Sequence, residues 1–384
     1  MKTMETDNKD KKVLNVPHLR FPEFTEEWEE TELQDIVSNI CSGKDKISNS
    51  GEVVLYGSTG VIGRTNSASY KEKVVLVARV GANAGQMQIG NAPCGVTDNT
   101  LVLDAKEWNY YIYYFLQHYN LNRLVFGSGQ PLITGGMLKK IKVRYGCKAE
   151  RNNITQLLFL MDERIATQNK VIEKLESLIK GLNDSLYERY GDDIRTSFDK
   201  LGHSYSGLSG KSAEDFGIGK PFITYLNVYS NNVVHENEYQ YVRINKGEKQ
   251  NIVQYGDVLF TLSSETPEEV GVGSVYLGIG EVFLNSFCFG FHIENKELAY
   301  PPYFSYYVSS TLFRKFIYPF AQGSTRFNLC KADFEKASIK LPSLDNQKHI
   351  YAILNRITEK IETEKSLLEY YTTQKQYLLR QMFI

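Results

Sequence analysis

The sequence predicts an α+β chain: two mixed α/β domains in tandem, each followed by a long helix, the two helices pairing as an antiparallel coiled coil about a pseudo-two-fold. Three observations predict it. A heptad seam occurs twice, short apolar runs alternate with glycine and asparagine turns, and the prolines stay outside both seams.

The first seam is Ile154, Leu158, Met161, Ile165, Gln168, Ile172, Leu175, Ile179, Leu182 and Leu186, with spacings that alternate 4 and 3 without a break. Adding 196 to each number gives Ile350, Leu354, Ile357, Ile361, Glu364, Leu368, Tyr371, Lys375, Leu378 and Met382. The same shift superposes Gly127-Ser128 on Gly323-Ser324, Glu163 on Glu359 and Thr167 on Thr363. A 4-3 alternation averages ~3.5 residues per turn and keeps the apolar stripe on one side of a supercoiled helix. At ~1.5 Å per residue each seam is roughly 48 Å long and has to be covered. The simplest cover is the other copy; two separate amphipathic helices are the alternative. Gln168 and Glu364 hold the fifth place in their seams, where a polar residue fixes register. Pro17, Pro22, Pro131, Pro301, Pro319 and Pro342 all lie outside the helices, where proline is tolerated. The resulting boundaries are 1–149 for a lead-in segment and first domain, 150–190 for the first long helix, 191–342 for the second domain and 343–384 for the second helix.

Within the first domain, Lys73-Val74-Val75-Leu76-Val77-Ala78-Arg79 reads as a buried strand and Leu101-Val102-Leu103 as another. Trp108 to Leu124 reads as an aromatic helix packed on the sheet. Turns fall at Tyr56-Gly57-Ser58-Thr59-Gly60, Gly81-Ala82-Asn83-Ala84-Gly85 and Asp98-Asn99-Thr100. The second domain repeats the order. Gln254 to Thr261 is a turn into a strand, Asn285-Ser286-Phe287 parallels Asn99-Thr100-Leu101, and Pro301 to Phe316 is again an aromatic helix. Arg195 to Gly219, rich in serine and glycine, reads as a loose loop.

Composition narrows the function classes. The chain has 384 residues, 42% apolar and 12% aromatic, which is globular rather than disordered. Mostly apolar runs such as Val74–Val80, interrupted by Arg79, fall far short of the ~20 residues of a membrane span. Met1 to Lys12 is charged and lacks a signal-peptide core, so a soluble, cytoplasmic protein is expected. Cysteines at 41, 94, 147, 288 and 330 are scattered, and the six histidines show no metal spacing, so neither a disulfide framework nor a metal site is expected. The net charge of −1 conceals an uneven distribution: residues 1–36 hold 5 Lys/Arg against 10 Asp/Glu, and residues 37–149 hold 13 against 6. A basic domain of that kind attracts phosphates. In the second domain Arg314, Lys315, Arg326, Lys331, Lys336 and Lys340 gather near its end. Catalytic motifs are missing. Tyr300-Pro301-Pro302-Tyr303 has Tyr where an adenine methyltransferase needs Asp or Asn, and Gly217-Ile218-Gly219-Lys220 lacks P-loop spacing.

The order Tyr56-Gly57-Ser58-Thr59-Gly60, a strand ending in Arg79-Val80-Gly81, Gly127-Ser128-Gly129-Gln130-Pro131 and a long helix resembles the specificity (S) subunit of type I restriction–modification systems. Gly256-Asp257-Val258-Leu259-Phe260-Thr261, Gln322-Gly323-Ser324-Thr325-Arg326 and Leu341-Pro342 match its second half. The likeness runs from Val16 to Ile384, although the second half has no counterpart of Trp28. It implies a non-catalytic chain with two target-recognition domains on paired helices. Each domain would read one half of a split site in double-stranded DNA, and the helices would set the gap. Partners would be two methyltransferase subunits and restriction/translocase subunits. S-adenosylmethionine, ATP and Mg would sit on those partners and none on this chain, and no membrane is involved. The rival reading is a coiled-coil interaction scaffold without DNA binding. Base edges are read by forked or amide side chains, and phosphates are held by cations, hydroxyls and glycine-turn N–H groups. The candidate contacts are therefore Ser58, Thr59, Arg64, Arg79, Ser128 and Gln130 in the first domain, and Thr261, Ser263, Ser264, Thr325, Arg326 and Asn328 in the second.

Overall fold

The apolar run at Val74 forms the strand Val74–Ala78 with all five residues buried, as expected of a strand covered on both faces. Alternation then divides its side chains. Val75 and Val77 join Leu101, Leu103, Tyr111, Ile112 and Phe115 on one side, and Val74 and Leu76 join Tyr56, Cys94, Val96 and Val102 on the other. The strand is the centre of a layered unit. The computed structural model describes residues 15–124, 131–191 and 193–384. The chain divides into two units, one running to Asn169 and completed by Ser366–Ile384, the other spanning Lys170–Lys365. Each unit thus takes part of both long helices, where the sequence reading kept domain and helix apart.

In the first unit a four-stranded antiparallel sheet has the order Asn39–Ser42, Thr100–Asp104, Val74–Ala78, Met87–Gly90. A three-stranded sheet has the order Gly60–Thr65, Val53–Gly57, Cys94–Val96, its last pair parallel. Glu29–Glu32 pairs with Lys142–Tyr145. The second unit repeats all three. Its four-stranded sheet has the order Gly202–Ser206, Cys288–Ile293, Val258–Thr261, Gly273–Val275. Its three-stranded sheet is Gln240–Val242, Phe216–Ile223, Phe283–Leu284, again with the last pair parallel. Ile194–Thr196 pairs with Ile339–Leu341. The duplication therefore lies in strand order and sense as well as in the helices.

Matching hydrogen bonds give the correspondence residue by residue. Gly43 N donates to Thr100 O as Gly207 N donates to Cys288 O, and Arg79 N to Asn99 O as Leu262 N to Phe287 O. Both glycines are needed for close approach: a Cβ would lie 2.2 Å from Val96 O at Gly43 and 2.1 Å from Asn285 O at Gly207. This register corrects one sequence parallel. Asn99 matches Phe287, not Asn285, because the turn begins at Thr97 in one copy and at Asn285 in the other.

Three further expectations change. The stretch Arg195–Gly219 is ordered: it holds the end of Ile194–Thr196, a helical turn Phe198–Leu201, and the strand Gly202–Ser206. Its small residues hide two anchors, Phe198 and Leu201, both wholly buried. The first aromatic helix is Asn109–Tyr119, shorter than Trp108–Leu124 because Asn120 turns left-handed and stops it. The second is two short helices, Phe304–Tyr307 and Thr311–Ile317, with Ser310 capping the latter through Phe313 N.

The long helices run Lys148–Tyr190 and Leu344–Gln381. All ten positions of each seam are buried or half-buried, including Gln168 and Glu364. In the first unit Lys375 Nζ lies 2.6 Å from Asp162 Oδ1, and Arg164 Nη2 donates to Tyr371 Oη at 2.7 Å. Partner numbers fall as first-helix numbers rise, so the segments are antiparallel. In the second unit Lys365 reaches Glu176 at 3.3 Å. Ile154, Leu158, Leu379 and Met382 enter the first core, and Ile350 and Leu354 the second. Among the described residues no helix is long and apolar enough to cross a membrane.

Candidate nucleic-acid interface

In each unit one loop follows the central strand, and a second segment joins it. In the first unit the loop leaves at Arg79 and returns at Gln86, where Ala78 N donates to Gln86 O. Val80 bridges to Leu132, and Gly81 N donates to Pro131 O at 3.0 Å. Gly81 and Gly85 have φ of +78° and +90°, conformations open to glycine at little penalty. The hairpin tip Ser58-Thr59 is fastened to the same place, since Ser58 Oγ donates to the Asn99 carbonyl that also receives Arg79 N. Arg79 is half-buried and its Nη1 reaches Ser42 Oγ at 3.2 Å, while its Nε is buried without a partner. Ser58, Thr59 and Arg79 thus share one end of the unit. Arg64 belongs elsewhere: it sits on Gly60–Thr65 beyond the tip, exposed, with its guanidinium on Glu52 O. Ser128 and Gln130 lie outside the described residues.

The second unit builds the same corner with more material. Its loop runs from Leu262 to Gly271 and is held from three sides. Arg314 donates to the carbonyls of Gly271, Glu268 and Val270 at 2.6, 2.7 and 2.9 Å. Thr261 Oγ1 donates to Glu269 O and accepts from Val272 N. Glu269 accepts from Ser264 Oγ at 2.6 Å and Tyr229 Oη at 2.9 Å, and these donors hold its carboxyl below the usual range. A small fourth sheet, Ser263–Ser264 with Phe327–Leu329 and Ala321–Gln322, replaces the single bridge of the first unit.

This arrangement corrects two sequence readings. Thr261 is wholly buried with its hydroxyl engaged on both counts, so it fastens the loop and is not a nucleic-acid contact. Arg314, counted among the cations that gather near the end of the second domain, is a loop clamp; burial pulls its pKa below the ordinary value. Ser263 and Ser264 are also buried and line a cleft together with the exposed Arg326, whereas Thr325 and Asn328 are exposed on either side of Arg326 in the chain. Asn328 pairs with Ser263, and Arg326 lies over the Phe287 ring at 5.4 Å.

Tyr225, Tyr229, Glu265 and Phe287 were not among the candidates. The first two belong to the helix Tyr225–Ser230, which occupies the connection that Ser58-Thr59 makes in the first unit. Thr224 caps it through Asn227 N at 3.1 Å, and Tyr225 and Tyr229 stack at 6.0 Å one turn apart. The signal was present: a threonine cap ahead of two aromatics spaced i, i+4.

Charge is less lopsided than segment counts imply. The acidic strand Glu29–Glu32 lies on the basic Lys142–Tyr145, and Glu30 takes both Lys142 and Arg144 at 2.8 Å. Lys148 pairs with Glu107 at 2.7 Å. Part of the positive excess of residues 37–149 is therefore structural. All five cysteines are free thiols; burial pushes the Cys94 thiol up to about 11. Among the described residues no group of three or more His, Cys, Asp or Glu is placed to hold a metal.

The twofold occurrence of this corner agrees with comparison to known proteins. The family model for the type I restriction modification DNA specificity domain matches residues 25–177 and again 208–370. The chain belongs to that family. A putative type I restriction enzyme specificity subunit of Methanocaldococcus jannaschii is 24% identical over 400 residues, covering 89% of each chain. The type I S subunit structure from M. genitalium superposes with a TM-score of 0.61 at 16% identity, covering 96% of this chain and 99% of that one. A second structure, described as the structural basis of complex assembly and conformational transition of the type I R-M system, gives 0.58 at 14% identity over 96% and 99%. The specificity-family fold thus extends over almost the whole chain, and the chain is a type I restriction–modification specificity subunit.

Proposed function

We propose that this specificity subunit binds a split site in double-stranded DNA, each unit reading one half, and leaves the chemistry to partners. The observation that carries the reading is the corner built twice on equivalent strands, each time from a loop after the central strand, a tip or helix, and a third segment. Cations stand at both corners, Arg79 in one and Arg326 in the other, the kind of donors that phosphates and guanine edges attract. Ser58, Thr59, Arg79, Ser128 and Gln130 in the first unit, and Thr325, Arg326 and Asn328 in the second, are the proposed contacts.

Two methyltransferase subunits and restriction/translocase subunits are the proposed partners, with S-adenosylmethionine, ATP and Mg held by them. Exposed apolar side chains on the long helices support a docking role: Leu160, Leu178, Tyr370 and Tyr377 are 56%, 47%, 71% and 56% exposed. The test is selection from random DNA by the chain assembled with its methyltransferase partners. Two short fixed blocks, separated by a constant number of unselected pairs, are expected, and removing four residues from one long helix should change that number. One contiguous block overturns the split-site reading. Affinity measured against salt checks the rival scaffold reading: phosphate contacts give a steep fall, and a scaffold shows no DNA binding to begin with.

A further inference from the structure

We infer that Glu265 is a specificity-determining residue of the second unit, accepting a hydrogen bond from the exocyclic amino group of one base, adenine N6 or cytosine N4, in the major groove. The inference rests on the DNA-reading role proposed above.

A cleft of about 400 Å³ opens at the second corner, lined by Tyr225, Tyr229, Ser264, Glu265, Phe287 and Arg326 among others. Two carboxylates border it, and they differ. Both oxygens of Glu269 are taken by Ser264 and Tyr229, so that carboxylate belongs to the scaffold. Glu265 is exposed on the same rigid loop and makes no side-chain hydrogen bond or ion pair among the described residues, so its acceptor capacity is intact. The loop beneath it is pre-organised by the three Arg314 bonds. A carboxylate beside DNA is repelled by phosphates and by acceptor edges. In the major groove guanine O6 and thymine O4 are acceptors, whereas adenine N6 and cytosine N4 are the donors. Attraction to the amino group and repulsion from the carbonyl then act in the same direction, which is how selectivity is gained from one side chain. Arg326, held over Phe287, lines the same cleft and supplies a cation that lessens the repulsion of the DNA backbone. The corresponding loop of the first unit, Arg79 to Gln86, contains no carboxylate, so it serves as an internal control.

The experiment is a two-by-two cycle on the chain assembled with its methyltransferase partners. Selection from random DNA is run with wild type and with Glu265→Ala, and the position in the second half-site whose preference weakens is noted. Affinity is then measured for DNA carrying, at that position, either the natural base or its analogue lacking the amino group: purine for adenine, 2-pyrimidinone for cytosine. Wild type should lose about ten- to a hundredfold on losing the amino group. Glu265→Ala should be indifferent to it, with the first half-site unchanged. The inference falls if the variant keeps every preference, if it loses both half-sites alike, or if it is as sensitive to the analogue as wild type. A wild-type assembly that selects no DNA at all would instead bring down the DNA-reading role itself.

Discussion

The two corners solve one structural problem with different chemistry. The first loop is short and is shaped by backbone: glycines at positive φ, Gly81 N on Pro131 O, Gln86 N on Asn83 O. The second is longer and is shaped by side chains, with Arg314 gathering three carbonyls and Glu269 gathering two hydroxyls. A backbone-shaped loop leaves its side chains free to vary. A side-chain-shaped loop fixes some of them as scaffold and makes the rest rigid. The difference predicts where each unit is fragile.

Removing the clamp should have the largest effect. Arg314→Met leaves three carbonyls of a half-buried loop without a charged donor and is expected to destabilise the second unit by about 4 kcal/mol. Arg314→Lys should rescue little, because an ammonium cannot fork to three acceptors spread over one loop. Arg79→Met in the first unit, where the guanidinium touches only Ser42 among the described residues, should lose about 1 kcal/mol or less. Chemical denaturation with site-resolved hydrogen exchange separates the units. Both tryptophans, Trp28 and Trp108, belong to the first, so their fluorescence follows that unit alone. Equal losses for Arg314 and Arg79 would refute the contrast.

The next contrast lies where each helix begins. Glu150 is wholly buried; it takes Arg20 at 2.6 and 2.9 Å and Trp28 Nε1 at 3.1 Å. Its partner under the 196 shift, Asn346, is half-buried and donates to Asp193 at 3.0 Å. Both tie a lead-in segment to the first turn of a long helix, so the second copy keeps the device without its Trp. Glu150→Ala strands a guanidinium at the edge of the core and should remove about 3 kcal/mol. Asn346→Ala breaks a solvent-facing bond and should remove about 0.5 kcal/mol. Denaturant midpoints of the two variants decide it.

The contrast also explains what was legible in the sequence. The helices were visible because a seam is periodic and local, and the same shift held for all ten positions. The central strands were visible because burial on both faces leaves an unbroken apolar run. The constant shift failed between the helices: Glu29–Glu32 matches Ile194–Thr196, a displacement of 165 rather than 196. The second unit has absorbed the helix Tyr225–Ser230 and a longer loop after Thr261. Insertions of that kind carry no period, so Tyr229 and Glu265 escaped notice. Burial misled in the opposite sense. Thr261 and Arg314 have the right chemistry for nucleic acid, and only three-dimensional contacts reveal that carbonyls of the loop after the central strand already occupy them.

Where the two units agree, a matched pair of changes should produce matched losses. Gly43→Ala and Gly207→Ala each drive a Cβ into a carbonyl at 2.2 and 2.1 Å, at equivalent crossings of the two sheets. Each should destabilise its own unit by about 2 kcal/mol, through forced backbone movement. Near-equal shifts sharpen the duplication at the level of single atoms. A large loss in one unit and none in the other would mean that the crossings are not equivalent after all.

The smallest expected difference is between the helix ties. Asp162 is half-buried and accepts from Tyr114 Oη at 2.8 Å while pairing with Lys375, itself only 15% exposed. Glu176 and Lys365 in the second unit are 52% and 48% exposed at 3.3 Å. Solvent screens the exposed pair, so Glu176→Gln should change stability by about 0.3 kcal/mol at most. Asp162→Asn keeps the shape but gives Lys375 a neutral partner where water reaches it poorly, and about 1 kcal/mol should be lost. Raising salt from low to molar levels should erase the Glu176 effect and leave most of the Asp162 effect, because partly buried pairs are weakly screened. If both effects vanish together, the tie in the first unit is as wet as the tie in the second, and the stiffness of its helix pair has to come from the seam alone.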